Sequence, residues 1–224
     1  MATMPIDTET EPTHLTSAER VPDEGPRPAT TDGRQLRRER NREAVVEALL
    51  DLYSQGNLRP SAEEIAIRSG LSPRSLFRYF DDVDDLIREA VDRQIERAIP
   101  LVPIDVTPDA PVAAKVAALV DQRFRLFGAV GNAAAVLRLR SPFQPLLAVS
   151  LAQNRAFLRS QMERLFAPEL AAMDPGAAAS AVAAADVLAS FESRHLLCND
   201  QGLDLDQARS VMTAALVDIF GRTV

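Results

Sequence analysis

The sequence predicts an all-α fold: an N-terminal three-helix unit built around a helix-turn-helix, followed by a C-terminal helical domain. Three observations predict it. Ala and Leu dominate the second half, where β-branched runs are scarce. Helix-capping residues recur just ahead of apolar stretches with helical spacing. No stretch alternates apolar and polar residues as a half-buried strand would. With 224 residues, 46% of them hydrophobic, the chain is long enough to bury a sizeable core.

Residues 1–33 are expected to form a disordered acidic arm. Five prolines lie there among Thr, Glu and Asp, with too little apolar surface to offset the entropy of ordering. His14 falls in this arm and needs no role. A helix is predicted to start near Asp32, which has Gln35 at capping-box spacing. Val45, Val46, Leu49, Leu50 and Tyr53 give it one apolar face, and Gln55-Gly56 ends it. Ser61, with Glu64 three residues on, opens the second helix around Ile65, Ala66 and Ile67. Ser69-Gly70-Leu71-Ser72 is a tight turn, and Ser72-Pro73 opens a third helix. In that helix Leu76, Phe77 and Phe80 are expected to face inward, leaving Arg74, Ser75, Arg78 and Tyr79 outward. The acids from Asp81 to Asp85 suit the start of a fourth helix, where the macrodipole is positive. It runs through Leu86, Ala90 and Ile95 to about Ala98, and Pro100 and Pro103 mark a boundary. The expected domains are therefore 34–99 and 100–224. In the second, helices are expected at Val112–Gly128, Asn132–Arg140, Phe143–Phe166, Gly176–Cys198 and Asp204–Gly221.

The net charge of −7 argues against a nucleic-acid partner if taken whole, but it is unevenly spread. Residues 34–80 carry nine Arg against six acids and are the one net-positive segment. A DNA contact surface needs local rather than global positive charge. Two short helices joined by a Gly-containing turn and braced by a third suit that role, because the second helix of such a pair fits the major groove.

The stretch from Ser61 to Phe80 resembles the signature of the tetracycline-repressor (TetR) family. The agreeing positions are Ser61, Ile65-Ala66, Gly70-Leu71-Ser72, Ser75, Leu76, Tyr79-Phe80 and the later Leu86. At motif strength the resemblance is carried by residues 61–86. It implies a DNA-binding transcriptional regulator, typically a repressor, that reads a double-stranded operator as a homodimer. The implied DNA contacts are Arg38, Ser61, Ser72, Arg74, Ser75, Arg78 and Tyr79. Among them Ser61, Ser75 and Tyr79 serve phosphates, and Arg74 is the candidate for a guanine edge. Arg34 and Arg37 are further candidates for the flanking backbone. Two positions depart from the family pattern: Phe77 stands where Tyr is frequent, and Val83 where Lys often anchors a phosphate.

The same resemblance implies that the last two helices pair subunits. The Ala-rich stretch from Ala177 to Ala185 would permit close helix approach. The middle helices would enclose a pocket for a small hydrophobic or amphipathic ligand. Phe124, Phe127, Leu137, Phe143, Leu147, Phe157 and Met162 are candidates for its lining, with Arg138, Asn154 and Gln161 as polar anchors.

Other classes find less support. No apolar run of membrane-spanning length and no signal-peptide core is present, so a cytoplasmic protein without a membrane partner is expected. The lone cysteine, Cys198, excludes an intrachain disulfide. With two histidines and no triad, phosphate loop or metal-ligand spacing, no enzyme activity, cofactor or metal is expected. His195 is expected to be a packed or interfacial residue. Two rival classes stay open at this level: a helical interaction protein, and a helical carrier or enzyme using the second domain alone.

Overall fold

The computed structural model describes residues 30–221. The expectation for the arm falls outside the described residues except at 30–33, which already belong to a helix. The chain divides into a first unit, Met1–Arg37, and a second, Arg38–Val224. All regular secondary structure among the described residues is helical, and none of these helices is long and apolar enough to cross a membrane.

Helix α1 (Thr30–Ser54) starts two residues before Asp32 and ends at Gly56, which adopts φ 87°. Helix α2 (Ala62–Ser69) has the capping box its sequence announces. The Ser61 side chain accepts from the Glu64 N–H, and the Glu64 carboxylate accepts from the Ser61 N–H. Gly70 closes α2 in the left-handed conformation. The third helix is shorter than expected. Only Pro73–Leu76 (α3) is α-helical, and Phe77 to Tyr79 continue as tight turns. Helix α4 (Val83–Ala98) is capped by Asp82, whose carboxylate accepts from the Asp85 N–H, and passes into a 3₁₀ turn at Ile99–Leu101.

Beyond Pro111, α5 (Val112–Arg140) joins the two helices expected at 112–128 and 132–140. It bends at Gly131, whose φ 44° and ψ −132° are not helical. A 3₁₀ turn at Ser141–Phe143 precedes α6 (Pro145–Leu165) and the short α7 (Ala167–Ala171). The helix expected at 176–198 is broken. Helix α8 (Pro175–Leu188) stops, and Ser190 then accepts from the Ser193 N–H to start α9 (Phe191–His195), which passes into a π turn at Leu196–Asp200. Helix α10 (Leu205–Phe220) follows the capping residue Asp204.

Two buried clusters organise the second unit. One gathers the apolar face of α1 with Ile65, Leu76, Phe80, Leu86 and Val91, and it continues into Val136, Leu137 and Leu147 of α5 and α6. The other packs α5 against α8 and α10 through Val116, Leu119, Phe124, Met212 and Leu216. Each fully buried aliphatic side chain contributes about 1.5–3 kcal/mol of transfer free energy. The first cluster therefore ties α1–α4 firmly to α5 and α6.

Candidate functional site

The helix-turn-helix is fixed by a small set of polar ties. Arg42 on α1 donates through Nε to Glu89 of α4 at 2.7 Å and through a terminal nitrogen to the Tyr79 carbonyl at 2.7 Å, with its guanidinium 4.6 Å from the Phe80 ring centre. The Glu89 bond raises the Arg42 pKa above its ordinary value, against the opposing effect of burial. Arg68 of α2 donates to Asp51 of α1 and to Gln55 just beyond it, both at 2.7 Å. The turn that follows α3 is thus held to α1 and α4 by one arginine.

On this frame Arg74 and Arg78 are exposed, and among the described residues neither has a carboxylate partner. Ser75 is half-buried, and its hydroxyl lies 2.9 Å from that of Ser72. Tyr79 is half-buried too, and its phenol oxygen accepts from the Asn41 amide at 2.8 Å, which leaves its own proton for another acceptor. Arg38 is exposed on α1. Ser61 differs from this group, because its hydroxyl donates to Glu64 at 2.9 Å inside the capping box. Phe77 corrects an expectation: it is 56% exposed, because α3 is only one turn long and its inward positions are filled by Leu76 and Phe80. Ile67 is likewise exposed rather than packed, on the outer side of α2.

A second feature lies between α4, α5 and α6. A cavity of about 440 Å³ is walled by apolar side chains from all three, with Phe191 closing it. Of the residues expected to line a pocket, Phe127, Leu137, Arg138, Asn154 and Phe157 do so. Four do not. Phe124 is buried in the α5–α10 core, with the Arg194 and Arg209 guanidiniums 5.6 and 5.1 Å from its ring centre. Phe143, 83% exposed, sits on the 3₁₀ turn between helices and points away from the core. Leu147 is instead buried in the core cluster that joins α1–α4 to α5 and α6. Gln161 belongs to a buried polar network: it accepts from Arg123 at 2.8 Å and donates to the Val102 carbonyl at 2.7 Å. Burial lowers the Arg123 pKa to about 10, against the opposing pull of Asp186, so it stays cationic at neutral pH. Met162 is also core. Sequence reading missed Arg155, Gln94 and Phe191, which line the cavity from α6, α4 and α9. Arg155 had a signal, since it follows Asn154, but its register toward the cavity is set by tertiary packing. His195 is exposed and stacks on Phe191, their ring centres 6.1 Å apart.

Helix α4 joins the two features. Its N-terminal part packs Leu86 and Ile87 into the helix-turn-helix core, while Ile95 and Ala98 line the cavity.

No protein-family model matches the chain, and no curated protein does. Solved structures do match. A transcriptional regulator from Rhodococcus sp. Rha1 superposes with a TM-score of 0.63 at 15% identity, covering 80% of this chain and 96% of that one. A TetR transcription regulator from Haloarcula marismortui ATCC 43049 gives 0.54 at 14% identity, covering 82% and 97%. The chain has the fold of the TetR-type regulators. A candidate transcriptional regulator from Streptomyces coelicolor A3(2) shares that fold with a TM-score of 0.55 at 22% identity, over 81% of this chain and 98% of that one. Within the TetR-type fold, the stretch 61–80 is the helix-turn-helix, and α5 to α10 form the helical remainder.

Proposed function

We propose that this chain is a sequence-specific DNA-binding transcriptional regulator, a homodimeric repressor released from its operator by a small ligand. The observation that carries the reading is the pair Arg74 and Arg78: exposed, free of carboxylate partners among the described residues, and flanking Ser75 on a turn locked by Arg42. An arginine presented in this way pairs with the O6 and N7 of guanine, worth about 1–3 kcal/mol of discrimination. Ser72, Ser75, Tyr79 and Arg38 then supply phosphate contacts that set the register. Ser61 joins them only by giving up Glu64. Phe77, exposed beside Arg78, is suited to apolar contact with a thymine methyl or a sugar.

The domains follow this division, with 34–99 for DNA and 100–224 for ligand and partner subunit. The outer face of α8 carries Ala179, Ala183, Ala184 and the exposed Val187, and α10 adds the exposed Val211, a surface suited to pairing with its twofold copy. Ligand in the cavity would press on Ile95 and Ala98 of α4 and favour a dimer whose recognition turns no longer match successive major grooves. With no membrane-spanning helix among the described residues, the cytoplasm is the expected compartment.

The test is binding of the purified chain to DNA from upstream of its own gene, at two salt concentrations, against random competitor. Specific binding that weakens steeply with salt is expected, because each neutralised phosphate releases counterions. Arg74→Ala should weaken operator binding by roughly 5- to 150-fold, the range set by a bidentate base contact, with little change on random DNA. Unchanged operator affinity in that variant would overturn the assignment.

A further inference from the structure

The cavity wall is unbalanced in charge. Its ionisable lining residues are Arg138 and Arg155, and no carboxylate lines it. Both arginines are drawn to the same acid, Glu192, which lies outside the cavity on an adjoining groove. Arg138 donates to it at 2.9 Å through Nε, and Arg155 makes a close ion pair with the same oxygen. Burial raises the Glu192 pKa, but the hydrogen bonds from Arg138 and Arg155 and the charge of Arg138 outweigh it and leave the value at about 2. Glu192 is therefore ionised at neutral pH, and two cations face one anion. Behind the wall, Arg123 and Arg159 face Asp186 and Glu163, and Asp186 also feels the charge of Arg155, so Arg123, Arg138, Arg155 and Arg159 together face three carboxylates and one positive charge remains.

The hydrogen-bond census points the same way. Arg138 spends its Nε and both terminal nitrogens on Glu192 and the Ala134 carbonyl. Arg155 gives one terminal nitrogen to Glu192 and makes no other hydrogen bond among the described residues. The Asn154 amide, also in the wall, makes none. Spare donors and one uncompensated positive charge thus border a space that is otherwise apolar.

We infer that the effector is an anionic amphiphile, its carboxylate held by Arg155 and Asn154 and its hydrocarbon tail filling the cavity between α4, α5 and α6. A neutral tail-only molecule gains the apolar burial but leaves the donors unmet, and a cationic amphiphile meets repulsion from both arginines. This inference rests on reading the cavity as a ligand site.

Calorimetric titration of the full chain with decanoate, 1-decanol and decyltrimethylammonium, each below its solubility and micelle limits, tests it. Decanoate should bind at least about tenfold more tightly than decanol, a difference of about 1.4 kcal/mol. Arg155 is solvent-exposed, so Arg155→Gln should fold normally, reduce decanoate to the level of decanol and leave decanol unchanged. Equal binding of decanoate and decanol, or preference for the cation, overturns the charge assignment and leaves the apolar ligand site standing. Binding of none of the three removes the ligand-site reading as well.

Discussion

Gly128 and Gly131 stand three residues apart on α5, and replacing each by alanine should move stability in opposite directions. An added Cβ meets nothing within 4 Å at either position, so neither change creates a clash. The difference is in the backbone. Gly128 lies in the regular part of α5 and is exposed. Gly128→Ala should therefore stabilise by about 0.5–1 kcal/mol, the ordinary helix preference for Ala over Gly. Gly131, at φ 44° and ψ −132°, occupies a region that side chains with a Cβ rarely enter. Forcing Ala there costs about 1–3 kcal/mol, partly offset by roughly 0.4–1 kcal/mol from a less flexible unfolded chain. The two variants should thus differ by about 2 kcal/mol, or roughly 4–8 °C in Tm for a chain of this size. Reversible urea unfolding and thermal melts of both variants beside the parent provide the assay. A shift of the same sign in both would refute the claim that α5 must bend at Gly131.

Three other outcomes follow from the same geometry. Lys115, fully buried, donates to both Glu169 oxygens at 2.6 and 2.7 Å and to the Pro108 carbonyl at 2.7 Å; Lys115→Met should cost about 3–5 kcal/mol by stranding Glu169, and adding Glu169→Gln should recover most of it in urea unfolding. The Glu192 pKa is depressed in the folded chain, so its contribution is present above the unfolded value near 4.5 and is lost as pH falls toward 2. Because its side chain is 42% exposed, solvent screening holds that contribution to the order of 1 kcal/mol; the stability gap between the parent and Glu192→Gln should be present at neutral pH and close in acid. Phe77→Ala should leave Tm nearly unchanged, as expected of an exposed site, yet weaken operator binding several-fold; a large loss of stability would show that Phe77 is core after all.

What was legible in the sequence was local. Ser61 with Glu64, Ser72 with Pro73 and Gly70 after Ser69 mark their helix ends within a few residues; Ser61 and Gly70 cap as read, while Ser72 holds the N-cap position without a capping hydrogen bond, its hydroxyl meeting that of Ser75 instead. Ser190 shows the limit. It sits in an Ala- and Leu-rich run that reads as one long helix, yet its hydroxyl caps Ser193 and breaks that run. Apolar periodicity placed Leu76 and Phe80 correctly but could not show that a single helical turn has no room to bury Phe77. Pocket residues were the least legible. Gln161 looks like a polar anchor until Arg123, 38 residues away, is seen to engage it, and Leu147 looks like lining until it is seen buried in the core cluster that joins α1–α4 to α5 and α6. Such assignments depend on which helix arrives opposite, and one helix's periodicity does not carry that information.

The acidic start of α4 is at odds with a DNA-binding role chiefly if its carboxylates are counted as free charge. Asp82 caps α4, Asp85 pairs with Arg88, Asp84 approaches Arg140 at 3.6 Å, and Glu89 holds Arg42. These acids are committed to helix ends and to arginines that fix α1, α4 and α5; of the acids from Asp81 to Asp85 only Asp81, exposed, makes no hydrogen bond or ion pair among the described residues. The arginines of 38–80 divide accordingly. Arg42 and Arg68 are tied to acids and build the frame, while Arg38, Arg40, Arg59, Arg74 and Arg78 have no acidic partner among the described residues. A net-negative chain can therefore present unneutralised positive charge where its helix-turn-helix turns outward, and local pairing decides that field more than total charge does. Arg42→Ala would test this division from the opposite side. It removes a cation that lies outside the proposed contacts, so any loss of operator binding should come with a loss of stability, whereas Arg74→Ala should lower binding alone.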